Sequence, residues 1–337
     1  MSADRFEAGP CRLSEMKALR ALLNEVFITE RNSDGDLFEF APLLYSEENV
    51  ENLRVVRKGK RIVGHAGILP RPIRWRGQTF AAGLIGGVCA REELRGHGIG
   101  TLAMKSAEER MEELGLDFGV LWTGSHGFYQ RLGWRLAGGI TVMGIQEAAG
   151  ELAQGDEIMP LHESPFGPDE CHRLHEKAGR HEVVRTAEEN ARLMSTAGRT
   201  TWIALEGGRL VGYATTTAQV VQEIEGNASA RIALLEHAAS QGLRRCVFPL
   251  NDPQLEAIGE ALPVSVEPKT LGMFLIVNRA GLVEKIVAET SDGVAELGIG
   301  TNVSNDTLTA NTFGGPEREP ADEPLPLDLH IGYLDHV

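Results

Sequence analysis

Apolar residues in the first half of the chain recur with helical spacing in two places. From Ser14 to Phe27 they lie three or four positions apart, which predicts a helix with Ser14 as its N-cap. The spacing returns from Ile99 to Leu114, where Gly115 is placed as a left-handed C-terminal cap. Each helix is therefore expected to turn one apolar face to a core. For the first helix that face is Leu19, Leu22, Leu23 and Val26.

Strands are predicted on both sides of the second helix. Residues 53–66 form two β-rich runs around a glycine turn, which indicates an antiparallel hairpin. Gln78 to Ala90 is an apolar, glycine-punctuated run that is typical of a central strand. After the helix, Leu116 to Trp122 predicts a strand, and Gly127 to Leu132 predicts a short helix that Gly133 ends.

The hairpin of the first half is repeated in the second. Residues 202–214 have the same layout, with Gly59 aligned to Gly207 and Gly64 aligned to Gly212 at one constant offset. Because that offset is close to half of the 337 residues, a duplicated domain explains the repeat better than chance does.

Two domains and a C-terminal extension are therefore expected. We assign residues 1–150 to the first domain, 159–280 to the second and 281–337 to the extension. A Pro/Glu-rich tether precedes an apolar end, Leu327 to Val337, which we expect to dock back on the body. The fold class is expected to be α/β (α+β), with two related domains that each have a mixed, mostly antiparallel sheet flanked by helices.

Composition narrows the class of protein. Hydrophobic residues make up 42% and charged residues 24%, as in ordinary globular domains. No run approaches the ~20 apolar residues of a membrane span, and the first residues lack a secretory signal pattern, so no membrane is expected as a partner. The four cysteines form no CxxC pair, which fits reduced thiols, and we expect a cytoplasmic protein.

The formal net charge of −15 bears on the expected partners. A nucleic-acid-binding protein needs a basic face, so nucleic acid is not expected. An acidic protein attracts cationic molecules such as amines. Acidity that only maintains solubility explains the charge equally well.

The strongest chemical signal is the glycine-rich run Arg95-Gly-His-Gly-Ile-Gly100, between a predicted strand and the second helix. Glycines let the backbone approach a ligand, and the N–H groups at the positive end of a helix bind phosphate groups. Arg95, with Arg91 or His97, can add positive charge. A dinucleotide-binding fold would use GxGxxG after its first strand, whereas this turn follows about three strands and has a different spacing. The Rossmann interpretation is therefore rejected.

Two motifs resemble those of a known family. Arg95-x-x-Gly98-x-Gly100 before an amphipathic helix resembles the acetyl-CoA pyrophosphate loop of GNAT-superfamily N-acetyltransferases. The run from Phe128 to Trp134 resembles that superfamily's next motif, Phe-Tyr-x-x-Leu-Gly-aromatic, and the two occur in the right order within residues 11–142.

Part of the chain is similar to one type within that superfamily. Residues 64–73 and 81–88 resemble the enhanced-intracellular-survival type, whose active GNAT domain is followed by a degenerate second one. That type usually ends in a third, sterol-carrier-like domain. Too few residues remain here to form it, so the substrates of that type are not carried over.

The resemblance implies a role for each residue of the motifs. Acetyl-CoA is the expected co-substrate, with its pantetheine between the strand that ends at Ala90 and the strand that follows the helix. Backbone groups of Val88 and Ala90 would bond the pantetheine amides, and Tyr129 would donate a proton to the leaving thiolate. The expected cofactor-binding residues are Val88, Cys89, Ala90, Arg95, Gly96, His97, Gly98, Ile99, Gly100, Thr101 and Phe128.

No residue of the motifs is an evident general base. The acidic residues near the acceptor wall are more simply interpreted as solvated charges; they are Glu25, Glu30, Asp34, Asp36 and Glu39. In the resembled type the chain terminus reaches into the active-site domain. The α-carboxylate of Val337 is therefore a second hypothesis for the base.

The second half is not expected to bind CoA or a metal. Val220 to Asn227 stands where a pyrophosphate loop would be, and its acidic residues would repel phosphates. His172 and His175 share a helix face, but their spacing matches no standard zinc pattern, and a surface helix is the simpler interpretation.

Three functions stay open at this point. The leading one is an N-acetyltransferase that moves an acetyl group from acetyl-CoA to an amine by direct transfer. The others are a different acyl or aminoacyl transferase and a non-catalytic acyl-CoA-binding regulatory protein. The oligomeric state is left open too, with a homo-oligomer as one alternative because the resembled type associates.

Overall fold

The computed structural model of the protein describes residues 5–146, 157–178, 182–250, 252–289, 303–314 and Ile331. The strands are β1 (Phe6–Pro10), β2 (Leu53–Lys58), β3 (Arg61–Trp75), β4 (Gln78–Ala90), β5 (Phe118–Leu121), β6 (Arg135–Ile145), β7 (Glu157–Pro160), β8 (Thr200–Glu206), β9 (Arg209–Thr216), β10 (Val221–Gly226), β11 (Arg245–Pro249) and β12 (Val264–Ile276). The helices are α1 (Met16–Phe27), α2 (Leu37–Phe40), α3 (Ile99–Glu113), α4 (His126–Gln130), α5 (Pro168–Lys177), α6 (Ala187–Met194), α7 (Ala228–Ser240), α8 (Leu255–Ala261), α9 (Arg279–Glu289) and α10 (Asn305–Phe313).

The element order of the first half is repeated in the second. Each half has a strand, two helices, three strands, a helix, a strand, a helix and a strand, so β1 to β6 correspond to β7 to β12. Both predicted hairpins are present, β2 with β3 and β8 with β9. The duplication predicted from the aligned glycines is therefore visible in the order of the elements.

The two halves share one 12-stranded sheet because they exchange their last strands. The strand order is β1-β2-β3-β4-β5-β12-β6-β11-β10-β9-β8-β7. β12 of the second half pairs antiparallel with β5 of the first, and β6 of the first half pairs antiparallel with β11 of the second. β6 and β12 also pair with each other, from Ile145 opposite Val264 to Arg135 opposite Phe274.

The sheet is mixed and mostly antiparallel, as predicted. Its parallel pairs are β4 with β5 in the first half and β10 with β11 in the second. Helices flank it, so the α/β class predicted from the sequence is confirmed. The predicted domain boundaries stay predictions. None of the described helices is long and apolar enough to cross a membrane.

Helices pack on both faces of the first half of the sheet. Neighbouring residues of β2 point to opposite faces, so Val55 joins the core under α1 and Val56 the core under α3. The residues predicted for the apolar face of α1 are all buried: Leu19, Leu22, Leu23 and Val26. α3 packs through Ala103, Met104, Ala107 and Met111. Gly115 has φ +64 after its end, as the sequence predicts.

The C-terminal part adds to the core under α1. Leu282 and Ile286 of α9, with Leu308 and Phe313 of α10, belong to this core. Ile331 is fully buried in it. The other residues of the apolar end, 327–330 and 332–337, lie outside the described residues.

The segment before α6 joins the two halves at the end of β3. The N–H of Val184 donates to the carbonyl of Pro72 over 2.8 Å, and the N–H of Arg74 donates to the carbonyl of Glu182 over 2.9 Å. Arg71, with 4% exposure, adds a salt bridge to Glu189. The first half therefore contacts the second along β3 as well as along the exchanged strands.

Two local predictions are wrong. Ser14 is not an N-cap: it lies in a 3-10 turn, Leu13–Glu15, and α1 begins at Met16. The reason is Glu15, whose carboxylate accepts from the N–H of Arg12 and from Arg57 and so holds the turn tight. The second wrong prediction placed Val220 to Asn227 at the position of a pyrophosphate loop. This segment contains β10, and α7 follows at once.

Candidate active site

A cavity opens where β4 and β5 separate. The two strands pair only from Ala82 with Phe118 to Ile85 with Leu121, after which β4 continues to Ala90 and the chain leaves β5 for α4. The space between them has a volume of about 610 Å³, within the usual range of ligand pockets. Its walls are residues 85–90, 121–125, 128 and 129, with Phe27, Arg31 and Gly100. The gap expected between the strands is thus present, and Val88, Cys89 and Ala90 line it.

The cavity wall on β4 contains a β-bulge. His65 of β3 is opposite Cys89, and Gly67 is opposite Gly86, so two residues of β4 face one residue of β3. Gly87, within the bulge, has φ +62. A Cβ atom there would lie 2.1 Å from the hydroxyl of Tyr45, so this position requires glycine for both backbone and space.

The glycine-rich loop lies at the start of α3. Gly96 and Gly98 have φ +83 and +77, in the left-handed region. Gly98 is the N-cap of α3 and has no side chain to cap the helix, so the first N–H groups of α3 stay available to a ligand. A Cβ atom on either glycine would meet no atom within 4 Å, so the space over the loop is open. This arrangement can bind a pyrophosphate.

The other loop residues differ in exposure. Arg95 and His97 are exposed, and Thr101 is half-buried in the first turn of α3. Ile99 is 2% exposed and packs in the core, so only its backbone N–H is available to a phosphate.

Gly100 and Phe128 form the wall of the cavity next to the loop. A Cβ atom on Gly100 would lie 3.3 Å from the Phe128 ring, so Gly100 lets this ring approach the helix. Phe128 packs edge-on against Tyr129, with ring centroids 4.8 Å apart. The two aromatic residues of the predicted motif therefore both line the cavity.

Tyr129 faces the cavity from α4, and its side chain is 8% exposed. Burial raises the pKa of Tyr129 to about 12, and the nearby Cys89 adds to this rise. The phenol is therefore protonated at neutral pH. It can donate a proton to a group in the cavity.

Cys89 also lines the cavity, but its thiol is not activated. Burial raises the pKa of Cys89 to about 12, so the thiol rather than the thiolate is present at neutral pH. Because the thiolate is the nucleophilic form, Cys89 is a poor candidate for a covalent acyl carrier.

Most of the acidic residues at the acceptor wall are bound to arginines. The pairs are Glu25 with Arg91, Glu30 with Arg95, and Asp36 and Glu39 with Arg20. None of the described residues that line the cavity is acidic, and Arg31 is the one charged side chain among them. The sequence-based interpretation of these carboxylates as solvated charges is therefore incomplete, because they form salt bridges with arginines. Val337, the other hypothetical base, lies outside the described residues.

The second half has no counterpart of the loop. Asn227 caps α7 by accepting from the N–H of Ala230 over 2.8 Å, which occupies a helix end that stays open in the first half. The acidic residues of β10 are buried and do not face a phosphate site. Glu223 pairs with Arg185 over 2.6 Å, and Glu225 pairs with Arg231 over 3.1 Å. Burial would raise the pKa of Glu223, but Arg185 and its other partners lower it to about 2.

The interpretation of α5 as a surface helix is wrong. His172 and His175 are 9% and 3% exposed, because α5 packs against β9 and β10. The Nε2 atom of His172 lies 2.8 Å from the carbonyl oxygen of Arg185. His175, Glu182 and Glu225 place one ligand atom each within 4.8 Å of one another. Among the described residues this is the group with the spacing of a metal site, and it also belongs to the buried ion-pair network of Arg231.

Sequence reasoning missed several residues of the cavity. Phe27, Arg31 and residues 122–125 line it but belong to no motif. The β-bulge could have been predicted from the sequence, because the adjacent Gly86 and Gly87 interrupt a strand pattern and glycines within a strand often mark bulges.

Comparison with known families agrees with this geometry. Residues 8–137 match the family described as "Acetyltransferase (GNAT) domain". The matched region begins in β1 and ends in β6, so it contains the cavity, the loop and Tyr129. No curated protein matches the chain.

Solved structures with the same fold span most of the chain. A probable N-acyltransferase of unknown function from Enterococcus faecalis has a TM-score of 0.64 at 16% identity, with 84% of this chain and 75% of that chain covered. A GCN5-related N-acetyltransferase from Anabaena variabilis has a TM-score of 0.63 at 18% identity, with 83% and 75% covered. Eis1 from Mycobacterium abscessus has a TM-score of 0.59 at 12% identity, with 83% and 76% covered. At these identities the likeness concerns the fold alone.

Proposed function

We propose that this chain, whose residues 8–137 are a GNAT acetyltransferase domain, transfers an acetyl group from acetyl-CoA directly to an amine. The observation that carries the proposal is the cavity between β4 and β5, which has an uncapped helix end beside it and Tyr129 on its wall. A coenzyme with a phosphate end and an extended thioester arm has the shape to use both features at once.

The cofactor contacts follow from the chemistry of each wall. The pyrophosphate would accept from the backbone N–H groups of Gly98, Ile99, Gly100 and Thr101, with Arg95 adding charge. The pantetheine would lie along residues 88–90. Pairing between β4 and β5 ends at Ile85, so the backbone of these residues is not paired with β5. Phe128 would cover the arm where it passes Gly100.

The acetyl group would pass directly from the thioester to the amine, without an acyl-enzyme intermediate. The neutral amine attacks the thioester carbonyl carbon, the carbon–nitrogen bond forms and the carbon–sulfur bond breaks. Tyr129 gives its phenolic proton to the leaving sulfur and regains a proton from the new ammonium group. Because burial raises the pKa of Tyr129 to about 12, the phenolate formed in this step is a strong enough base to take up that proton.

An ammonium substrate must first lose a proton to a base. The α-carboxylate of Val337 is our hypothesis, and Ile331 supports it because this residue is buried in the core under α1. Six residues of extended chain reach up to about 20 Å, so the hypothesis requires the cavity to lie within that distance of Ile331. Adding a C-terminal tag, or deleting the residues after Ile331, should lower turnover; unchanged turnover would remove this hypothesis.

The proposed function is tested by thiol release from acetyl-CoA in the presence of amines. A panel of a polyamine, an aminoglycoside and a peptide with a free amine samples the main acceptor classes. Stimulated thiol release with at least one amine, together with acetylated product by mass spectrometry, would support the proposal. If calorimetry detects CoA binding but no amine stimulates release, an acyl-CoA-binding regulatory protein becomes the better interpretation. If propionyl- or longer acyl-CoA is used faster, the acyl group is different.

A further inference from the structure

We infer that His65 is a positioning residue for acyl transfer, which holds the Gly87–Val88 peptide in place at the wall of the cavity. This inference rests on the proposed function. His65 lies in β3, within the stretch 64–73 that resembles one type of the superfamily, but outside the glycine-rich loop and the run from Phe128 to Trp134. It does not line the cavity itself. It would act only through the peptide that it bonds.

The bond between the imidazole and the bulge has one possible direction. Nδ1 of His65 lies 2.8 Å from the carbonyl oxygen of Gly87. A carbonyl oxygen can only accept, so Nδ1 carries the proton of the ring. In a bulge the extra residue leaves the ladder of hydrogen bonds, and His65 supplies a donor for it.

The surroundings of His65 leave little other reason for a polar ring at this position. Its side chain is 0% exposed, and the Nε2 atom is buried without a hydrogen-bond partner among the described residues. An apolar ring would fill the same space without a buried, unpaired nitrogen, which normally costs stability. The bond to Gly87 is the contact that a phenylalanine could not make.

Gly87 is held from a second side as well. The hydroxyl of Tyr45 lies where a Cβ atom of residue 87 would be, and the rings of Tyr45 and His65 are 6.0 Å apart. The bulge is therefore enclosed by two side chains from outside β4. The side of Gly87 that faces the cavity stays open.

The bond also sets the direction of the next N–H group. The described backbone has no cis peptide, so the N–H of Val88 points away from the carbonyl of Gly87. Gly87 and Val88 both line the cavity. With the carbonyl held by His65, the Val88 N–H has one fixed orientation at the wall along which the pantetheine arm and its thioester end are proposed to lie. A preformed orientation of this kind contributes to the reaction step more than to binding.

The test compares His65→Phe, which keeps the ring volume but removes the donor, with His65→Asn, whose amide nitrogen lies near the position of Nδ1. We expect His65→Phe to lower kcat about tenfold, the effect of losing one hydrogen bond to a buried acceptor. CoA affinity by calorimetry should stay within about threefold of the wild type. His65→Asn should recover most of the kcat. His237→Phe is the matched control, because this half-buried histidine packs against the Trp202 ring in the second half, with centroids 4.2 Å apart. Its kcat should match the wild type.

Each outcome has a clear meaning. If wild-type protein neither binds CoA nor releases thiol, the proposed function fails. If wild type is active and His65→Phe has the same kcat, the inference about His65 is overturned. Equal loss of kcat in the Phe and Asn variants would also overturn it, because a structural role alone would do this. Should His65→Phe not fold, ¹⁵N NMR of wild-type His65 decides: a proton on Nδ1 supports the inference, and a proton on Nε2 refutes it.

Discussion

Arg95 of the glycine-rich loop donates a hydrogen bond to the carboxylate of Glu30, which follows α1. A CoA pyrophosphate would compete with this carboxylate for the same guanidinium group. We therefore predict that Glu30→Gln tightens CoA binding about two- to fivefold, a modest effect because the pair is partly exposed to solvent. Isothermal calorimetry at low salt measures it.

The control for this prediction is Glu93→Gln. Glu93 pairs with Arg61 at the exposed turn before the same loop, so the variant removes one negative charge nearby but leaves Arg95 as it is. Equal tightening in both variants would mean that net charge, and not competition for Arg95, controls affinity.

Tyr129→Phe should lower kcat by about 10²- to 10⁴-fold, because it removes the proposed acid and keeps the ring. CoA affinity should stay nearly constant, since the hydroxyl acts on the leaving sulfur. Steady-state kinetics with calorimetry separates the two effects. A kcat within twofold of the wild type would show that the sulfur leaves without this proton donor.

Gly98→Ala should weaken CoA binding about tenfold or more, because its methyl group would occupy the open space over the loop. Gly242→Ala is the matched control. Gly242 also has a positive φ, +86, and open space around its Cβ position, so both variants carry a similar backbone strain. Both should lose a similar amount of stability, and only Gly98→Ala should lose affinity. Equal affinities would argue against a phosphate site at this loop.

The stability of the protein should depend on His65 at acid pH. Burial lowers the pKa of His65 to about 4, against about 6.5 in an unfolded chain. Between these two values the unfolded state binds more protons, so stability falls as the pH falls from 6.5 to 4, by about 3 kcal/mol in total. Tyr45 and Cys89 beside His65 stay neutral there, because burial raises the pKa of each. Urea unfolding from pH 7 to pH 4 should show a smaller decline for His65→Phe than for the wild type. Parallel curves would contradict the low pKa.

Arg231→Met should destabilise the protein by about 3–5 kcal/mol. Arg231 is 2% exposed and pairs with Asp252 over 2.8 Å and with Glu225 over 3.1 Å, so its loss removes the cation from two buried carboxylates. Arg209→Met, at an exposed position, should change stability by less than 0.5 kcal/mol. Urea unfolding at pH 7 compares the two. A loss below 1 kcal/mol for Arg231→Met would mean that the remaining groups compensate.

Local features of the fold could be predicted from the sequence because neighbouring residues determine them. The hairpins at Gly59 and Gly207 depend on a glycine turn between two β-rich runs, and both glycines have a positive φ. Helix α3 and its end at Gly115 depend on apolar spacing and one left-handed residue. Ser14 shows the limit of such rules, since a contact with distant Arg57 changed the start of α1.

The pairing of β6 and β12 could not be predicted in the same way. Both strands alternate between two faces, and this local pattern does not specify which strand each of them pairs with. Their partners are chosen by packing between segments more than 100 residues apart. Prediction of the site was limited in the same way. The motifs identified the loop and Tyr129, whereas Gly87, Tyr45 and His65 are brought together by the bulge in β4, which joins distant parts of the sequence.

The exchanged strands have a consequence for the inheritance of this gene. A fragment that encodes the first half alone would leave β5 without β12, with an unpaired edge beside the cavity, and would leave β6 without its neighbours. Such a product would be prone to aggregate. The second half therefore completes the sheet of the first, although it has no loop for a phosphate group. A deletion in the gene that removed either half would leave unpaired strands in the product of the other.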